Sequence, residues 1–453
     1  MKICIIGAGP AGVAMAKAVA MEPRSDMDIH VYERNAMAGG LWNYTGKEKE
    51  KVSCSVPATD QRKARENSVP GIPYVSAMYE HLETNIVKDM MRYKDVQFPP
   101  ECETFPTRQE VAEYVRKYAA TIPENVRFHY NSTVVALEKL DSWQLTYKDS
   151  VSNAVLTESF DYVILAQGHF DLPYIPEVRG LEEWNAADPA SIIHAKYYND
   201  VERFENKTVL VVGNSASGID IATQLTTYAG KVIVSAASPS PVADILIDDV
   251  AQIGKVDEYR VSDRSVVTVD GETVSGVDYV IFCTGYLYSI PFLKSYTEGE
   301  HAILTTGEHV RYVYKQMFYI PDPTLINAAL GKNIIPFPFA ECQAQYVARV
   351  ISGRERLPSQ EQMMREYEEE VAAKGDGKGF HELKYPADAE YCNHMFELIE
   401  YTKSDGFVAE YWDEQRKDLR ARTAQIKAKR LERIVVHAQQ LRQRHEKFRL
   451  LRG

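Results

Sequence analysis

Two segments of the chain repeat one pattern of hydrophobic and small residues. Each starts with a run of aliphatic and β-branched residues, continues with closely spaced small residues and ends with helical spacing: IIGAGPAGVAMAKAVA (residues 5–20) and VLVVGNSASGIDIATQ (residues 209–224). A short apolar run, a glycine turn and a 3.6-residue period predict a strand, a turn and a helix. We therefore expect an α/β fold with two Rossmann-like dinucleotide-binding domains.

The first segment carries the full glycine pattern of a dinucleotide-binding loop. Gly7, Gly9 and Gly12 occupy the glycine positions of G-x-G-x-x-G. In this pattern the first glycine permits a tight turn, the second lets a pyrophosphate approach the backbone, and the third lets helix and strand pack closely. The phosphates would lie at the helix N-terminus, which favours anions. The next predicted strand, IHVYER, ends in Glu33, an acid suited to binding ribose hydroxyls.

The second segment departs from this pattern at its centre. Gly213 and Gly218 hold the outer positions, but Ser215 replaces the middle glycine. The strand that follows ends without an acid, which disfavours a bare ribose 2′-hydroxyl and leaves room for a 2′-phosphate. An arginine for that phosphate is missing from the following segment. Ser235 and Ser238 are candidate donors to it, or ordinary loop serines.

The remaining hydrophobic pattern predicts further elements. Helical spacing is found over residues 78–93 and 107–122, and alternation over residues 126–149 predicts paired strands. Two further segments each contain a buried strand followed by a glycine turn, FDYVILAQGHFDLPYIP (160–176) and VDYVIFCTGYLYSIPFL (277–293).

The similarity of these two strands suggests the domain order. If they return the chain between domains, the second nucleotide domain is an insertion in the first. We expect four parts: the first part of one nucleotide-binding domain (1–169), a second nucleotide-binding domain (170–290), the second part of the first domain (291–415) and a basic C-terminal helix (416–453).

Composition narrows the class of protein. Of the 453 residues, 45% are hydrophobic and 26% are charged, which is typical of a globular chain. The sequence contains no run of about 18 apolar residues, so we expect no transmembrane helix. The six cysteines are scattered without a C-x-x-C pair, which argues against a disulfide framework, a zinc site and a dithiol-reductase centre. Because the first strand begins at Lys2, we expect no signal or transit peptide and a cytoplasmic location.

The C-terminal tail has a charge opposite to that of the whole chain. Residues 416–453 contain 13 Lys or Arg against 3 Asp or Glu, whereas the whole chain has a net charge of −12. One helix with a Leu/Ile/Val stripe is predicted, either packed on the acidic body or bound to an anionic membrane or nucleic acid. We favour packing, because Phe448 is its single aromatic residue, and we expect no nucleic-acid partner. A homo-oligomer stays open.

These motifs together resemble those of the flavin-containing monooxygenases, especially the fungal members. GAGPAG is similar to the family's FAD fingerprint, GGLWNYT (39–45) to its G-G-x-W, YEHLETN (79–85) to its L-x-T-N, and FCTGY (282–286) to its L/F-A-T-G-Y. SIIHAKYY (191–198) is similar to the family's identifying sequence F-x-G-x-x-x-H-x-x-x-Y/F. His194 and Tyr198 match it, but Asp188 and Ala190 replace its Phe and Gly.

The resemblance implies an FAD- and NADPH-dependent monooxygenase. The resemblance implies that the first domain (1–169 and 291–415) is an FAD domain and the second (170–290) an NADP domain, which would deliver hydride from NADPH. Reduced FAD would react with O2 to a 4a-hydroperoxyflavin, whose distal oxygen passes to a nucleophilic nitrogen or sulfur of a small molecule.

The resemblance also assigns the site residues. Asn85 would be the catalytic residue, hydrogen-bonded near the peroxide or the retained ribose. His194 is expected to be structural, with no role in proton transfer. The cofactor-binding residues implied are Gly7, Gly9, Pro10, Ala11, Gly12, Glu33, Gly40, Leu41, Trp42, Thr84, Gly168, Gly213, Asn214, Ser215, Ala216, Ser217, Gly218, Thr284, Gly285, Tyr286 and Gln343.

Other functions use the same paired nucleotide folds. A flavin N-hydroxylase or a Baeyer–Villiger monooxygenase is the enzymatic alternative, although the latter needs an arginine beside the peroxide that no motif here supplies. A flavin-bound redox sensor or scaffold is the non-catalytic alternative. NADPH oxidation that rises with an added amine or thiol would separate an enzyme from a scaffold.

Overall fold

The computed structural model describes residues 1–63, 74–238, 245, 250–402 and 404–453. Its strands, numbered along the chain, are β1 (Lys2–Ile6), β2 (Asp28–Tyr32), β3 (Val126–His129), β4 (Ser132–Lys139), β5 (Trp143–Asp149), β6 (Val155–Phe160), β7 (Tyr162–Leu165), β8 (Leu172–Pro173), β9 (Ile192–His194), β10 (Thr208–Val212), β11 (Lys231–Ser235), β12 (Val250–Ile253), β13 (Val256–Arg260), β14 (Ser265–Thr268), β15 (Thr273–Val274), β16 (Tyr279–Phe282), β17 (Tyr286–Leu287), β18 (Val313–Tyr314), β19 (Phe318–Tyr319) and β20 (Leu325–Asn327).

The α-helices are α1 (Pro10–Ala20), α2 (Lys88–Met91), α3 (Arg108–Ala119), α4 (Leu181–Ala187), α5 (Ala216–Leu225), α6 (Pro336–Ser352), α7 (Gln360–Lys374), α8 (Ala387–Glu397) and α9 (Glu414–Gln443). Short 3-10 helices include Gly40–Trp42, Gly46–Lys51, Pro189–Ser191, Ala195–Tyr197, Glu202–Phe204 and Lys294–Tyr296. No helix in the described ranges is both long enough and apolar enough to span a bilayer.

The chain divides into two compact units. The first contains Met1–Asn43, Ile86–His169 and Tyr288–Thr423, and the second contains Tyr44–Asn85, Phe170–Leu287 and Ala424–Gly453. The expected first domain (1–169) includes residues 44–85, and the basic C-terminal helix (416–453) was expected to be a separate part. Residues 44–85 and residues 424–453 belong to the second unit, and Tyr79, Ile434 and Phe448 of these segments lie in the same hydrophobic core as strand β10.

The first unit is built on a seven-stranded sheet in the order β18-β19-β20-β7-β1-β2-β3. Strand β1 lies between β7 and β2 and is parallel to both. Ile3, Ile5 and Ile6 of β1 are buried, so the strand that leads into the first glycine loop is fixed on both faces. Strands β4, β5 and β6 form a separate antiparallel sheet.

The second unit repeats this arrangement around β10. Its five-stranded parallel sheet has the order β12-β11-β10-β16-β9, with β10 between β11 and β16. Helix α5 follows β10 through the second glycine loop. The predicted α/β class with two Rossmann-like units is confirmed.

One of the predicted helices forms as expected, and two others differ from the prediction. Helix α3 forms as predicted, with Thr107 and Glu110 making a capping box at its start. The helix predicted over residues 78–93 is wrong, because helical geometry is confined to the single turn α2. The tail helix ends at Gln443 rather than running to residue 453. The last residues fold back, so that the His437 ring bonds the carbonyl oxygen of Arg449 at 2.9 Å.

Candidate active site

The first glycine loop leaves no room for side chains. Gly7 has a φ of +106°, and a Cβ there would lie 2.5 Å from the carbonyl oxygen of Ala166. A Cβ on Gly12 would lie 1.9 Å from the carbonyl oxygen of Gly7. Gly9 lies against Gly40, whose own Cβ would be 2.7 Å from the Gly9 Cα. Glycine is therefore required by backbone contacts at the turn and at the join of helix and strand.

Helix α1 begins directly after this loop. Gly9 is its N-cap residue, Pro10 occupies its first turn together with Ala11, and no side chain among the described residues caps it. An uncapped helix N-terminus presents backbone N–H groups and the positive end of the helix dipole. A phosphate anion would be favoured at this end of the helix.

Glu33 follows β2 and is 4% exposed. Its Oε2 accepts a hydrogen bond from the Ala8 backbone at 2.8 Å, and its Oε1 accepts two from the backbone and side chain of Asn35, each at 2.8 Å. Because a carboxylate can accept about four hydrogen bonds, one position remains for a ribose hydroxyl. The loop itself fixes the carboxylate in place.

The GGLW segment lies beside the glycine loop. Gly40, Leu41 and Trp42 form a 3-10 helix that starts after Gly39, which has a φ of +137°. Leu41 and Trp42 are each partly exposed. The contact between Gly40 and Gly9 therefore places this 3-10 helix next to the first glycine loop.

A polar atom that no sequence motif indicated lies at the end of β7. The Oε1 atom of Gln167 is buried without a hydrogen-bond partner in the part of the chain described. Gln167 and Gly168 line a cavity with His169, Tyr288 and Ala328. Burying an unbonded carbonyl costs free energy, so this acceptor fits a donor group of a bound ligand. Its position directly before Gly168, a predicted cofactor-binding residue, is the sequence feature that could have indicated it.

The second glycine loop has the same construction. Gly213 has a φ of +108°, and its Cβ would lie 2.7 Å from the carbonyl oxygen of Cys283. A Cβ on Gly218 would lie 2.0 Å from the carbonyl oxygen of Gly213. Ser215 is the N-cap of α5 with extended backbone and no side-chain cap. Ser215 is exposed, as are Ala216 and Ser217 in the first turn, so the side chain at the middle position lies at the surface.

The L-x-T-N segment combines buried and exposed residues. Glu83 and Thr84 are buried, whereas Asn85 is exposed. Glu83 forms ion pairs with Lys427 at 2.8 Å and Arg430 at 2.9 Å. The exposed side chain of Asn85 therefore lies two residues after a buried side chain that two ion pairs hold in place.

Sequence comparison decides the family. The family model described as flavin-binding monooxygenase-like matches residues 63–250 and 242–408. The chain is 30% identical to the thiol-specific monooxygenase of Saccharomyces cerevisiae over 98% of this chain and 96% of that protein. The chain belongs to the flavin-binding monooxygenase-like family.

Two further proteins of known activity or structure are similar to this chain. The trimethylamine monooxygenase of Pelagibacter sp. strain HTCC7211 is 26% identical over 89% of this chain and 86% of its own. The solved structure of S-allyl-L-cysteine S-oxygenase from Allium sativum has a TM-score of 0.77 at 23% identity, covering 98% of both chains, and shows the same fold. Membership confirms the predicted activity, that of a monooxygenase that uses FAD and NADPH.

Several predicted residues of this flavin-dependent monooxygenase are bonded mainly within the protein. Gln343 is fully buried, with its Oε1 accepting from the Ala329 backbone at 2.8 Å and its Nε2 donating to the Tyr391 hydroxyl at 3.0 Å. The Asn214 amide donates to the carbonyl oxygen of Ser238 at 2.7 Å. The contribution of Gln343 and Asn214 to cofactor binding stays a prediction.

The segment Thr284–Tyr286 is connected to His194. The Thr284 hydroxyl donates to the Tyr174 carbonyl oxygen, and the Gly285 carbonyl oxygen bonds the Nε2 atom of His194 at 3.0 Å. The His194 ring lies 5.0 Å from that of Tyr286. Burial lowers the pKa of His194 to about 3, so the ring stays neutral at physiological pH. This environment suits a structural histidine.

Ser235 was a candidate donor to a 2′-phosphate or an ordinary serine. The residue is 2% exposed, and its hydroxyl donates to the Gly254 carbonyl oxygen at 2.9 Å. This hydrogen bond favours the ordinary serine. It joins the end of β11 to the residue that follows β12.

A carboxyl group below the second loop was also missed. The Asp220 carboxylate of helix α5 accepts hydrogen bonds from the hydroxyl of Tyr79 and, at 3.2 Å, from the amide of Gln224. Desolvation raises the pKa of Asp220 to about 6, opposed in part by the charge of Lys427. An acid in an otherwise apolar helix, SGIDIA, was the available signal.

Proposed function

We propose that this flavin-dependent monooxygenase oxygenates the sulfur atom of small thiols and thioethers. The observation that carries the proposal is the 30% identity to a thiol-specific monooxygenase across 98% of this chain. For a thiol, RSH, O2, NADPH and one proton give RSOH, water and NADP+. One oxygen atom joins sulfur, the other leaves as water, and NADPH supplies two electrons. The sulfenic acid then condenses with a second thiol to give a disulfide.

The two glycine loops divide the cofactors between them in this proposal. The loop of Gly7 to Gly12 and the start of α1 would bind the FAD pyrophosphate, and Glu33 would bind its ribose. The loop of Gly213 to Gly218 would bind NADPH. When bound, FAD supplies the redox chemistry with O2. The work of the chain is to bind and orient the two nucleotides and to exclude water.

Asn85 has the proposed role of orienting the reacting groups. An asparagine amide both donates and accepts hydrogen bonds without carrying charge, and the Asn85 side chain is exposed beside the buried Thr84. It would therefore hold an oxygen-bearing group or a ribose without changing the charge of the site. Cofactor reduction makes no use of this contact, whereas oxygen transfer does.

Nitrogen oxygenation is the second candidate, because the trimethylamine monooxygenases of Pelagibacter are also relatives of this chain. The test is NADPH consumption, together with product analysis, for a thiol, a thioether, a tertiary amine and a cyclic ketone at equal concentration. We expect the highest kcat/KM for the sulfur compounds. Preference for the amine would favour the second candidate. Ester formation from the ketone would favour Baeyer–Villiger chemistry, and stimulation by none of the four would favour a sensor.

The packing of the basic tail bears on the partners of the protein. Ile434, Leu441 and Phe448 of the basic tail lie in the core of the second unit, which supports a structural tail rather than one that binds nucleic acid or membrane. Small molecules and O2 would then be the partners. Light scattering after size exclusion tests for a homo-oligomer, and a cytoplasmic location stays a prediction.

A further inference from the structure

The C-terminal segment (residues 424–453) reaches the L-x-T-N segment within the second unit. We propose that Arg430 and Lys427 are positioning residues that hold Glu83 and Thr84 so that Asn85 keeps one orientation. The inference rests on the proposed role of Asn85. It assigns a function in oxygen transfer to a tail that carries none of the glycine motifs.

Two cations enclose the Glu83 carboxylate. Arg430 donates from Nη2 to Oε2 at 2.9 Å and from Nε to Oε2 and Oε1 at 3.2 and 3.3 Å. Lys427 donates to Oε1 at 2.8 Å. The side chains of Glu83 and Arg430 are 2% and 8% exposed. In such shielded surroundings, a guanidinium that bonds both carboxylate oxygens fixes its partner in position as well as in charge.

Lys427 also contacts the backbone next to Asn85. Its ammonium also donates to the Thr84 carbonyl oxygen at 3.0 Å. The peptide group that links Thr84 to Asn85 is therefore held on its carbonyl side. Because the peptide group is planar, fixing that carbonyl restricts the direction in which the Asn85 Cα and side chain leave the chain.

Arg430 is itself held by the folded-back end of the chain. It donates to the carbonyl oxygens of Leu451 and Gly453, the latter at 3.2 Å. Ile434 and Phe448, 3% and 2% exposed, anchor the helix and the returning tail in the core. Arg430 thus joins the terminus, the helix and Glu83. This explains why the basic tail is folded in rather than left in solvent.

The test uses Arg430→Met with Arg433→Met as its matched control. Arg433 lies one turn away on the same helix, is exposed, and bonds only to Gly453 among the contacts described. Hydrogen exchange of the backbone amides of residues 82–85 reports the hold directly. The ratio of oxygenated product to NADPH consumed reports its effect on oxygen transfer, and the rate of FAD reduction by NADPH serves as the internal reference.

We expect Arg430→Met to speed exchange at residues 82–85 by about tenfold or more, the effect of losing one strong charge-assisted contact. The product-to-NADPH ratio should fall at least threefold while FAD reduction changes less than twofold. Arg430→Lys, which keeps the charge, should recover part of the ratio, and Arg433→Met should match the unmodified enzyme. If Arg430→Met does not fold, Lys427→Met provides the same readings, since it leaves the Arg430–Glu83 pair intact.

Unchanged exchange in both the Arg430 and the Lys427 variants would overturn the proposal. Faster exchange with an unchanged product-to-NADPH ratio would overturn the positioning role and leave a structural contact. Failure of the proposed function is a separate result. If the unmodified enzyme oxygenates neither sulfur nor nitrogen compounds, the role of Asn85 falls, and with it the positioning role.

Discussion

A methyl group at Gly12 tests which loop binds FAD. Its Cβ would lie 1.9 Å from the carbonyl oxygen of Gly7, where an ordinary contact is 3.4 Å or longer. Helix α1 and the end of β1 would have to separate by about 1.5 Å. Overpacking of this kind costs about 1–3 kcal/mol. Displacing the loop from its binding conformation removes a similar free energy from FAD binding, and because 1.4 kcal/mol is tenfold in affinity, FAD affinity should fall roughly fivefold to 150-fold.

Gly218→Ala is the matched variant, because its Cβ would lie 2.0 Å from the Gly213 carbonyl oxygen in the other loop. The assay measures flavin per protein by absorbance after gel filtration, the apparent Kd for added FAD, and the KM for NADPH. Gly12→Ala should lose flavin. Gly218→Ala should keep it and show a raised KM. Circular dichroism verifies that both variants fold.

The reverse pattern would refute the assignment of cofactors to loops. Flavin lost from Gly218→Ala and kept by Gly12→Ala would place FAD on the second loop. Full flavin content and normal NADPH kinetics in both variants would refute the steric reasoning itself, since each added methyl meets backbone that cannot move independently.

Three further predictions follow. Asn85→Leu should still bind FAD and be reduced by NADPH, while product falls on the order of 10²-fold and hydrogen peroxide accounts for the NADPH consumed; normal coupling would remove Asn85 from the site. Because burial raises the pKa of Asp220 to about 6, the folded state favours its protonated form. Its contribution to the free energy of unfolding is fully present below the ordinary pKa of 3.8 and is lost as pH rises through about 6. Asp220→Asn should therefore gain about 2 kcal/mol at pH 7 relative to pH 4 in chemical denaturation, and an unchanged pH profile would contradict the raised pKa. With no acid after β11, kcat/KM should favour NADPH over NADH by about tenfold, equal to one good contact, and a preference for NADH would contradict this reading of the second loop.

The parts of the fold that could be predicted from the sequence depend on local signals. Gly12 and Gly218 lie within a few residues of the backbone that excludes their side chains, so both βα units could be read from spacing. The structure of the segment around Glu83 could not be predicted from spacing. Its helical spacing competes with an ion pair to Arg430, 347 residues further along the chain, and the tertiary contact outweighs the weak local preference.

The same reasoning applies to Ser235, for which the sequence left two alternatives, a donor to a phosphate and an ordinary serine. A strand end has two sides, and a side chain there can face either of them. The Gly254 carbonyl oxygen lies on the side that the hydroxyl takes. Which side wins depends on the neighbouring strand β12, whose position no local pattern specifies.

Isotope labelling tests the central claim most directly, that this enzyme transfers one atom of O2 to sulfur. A thioether is the best probe, because its sulfoxide keeps the transferred atom, whereas a thiol's sulfenic oxygen is lost on disulfide formation. With NADPH and 18O2, mass spectrometry should find one 18O atom per sulfoxide, about one sulfoxide per NADPH, and no label from 18O-labelled water. An unlabelled sulfoxide, or NADPH oxidation that yields hydrogen peroxide alone, would contradict the claim.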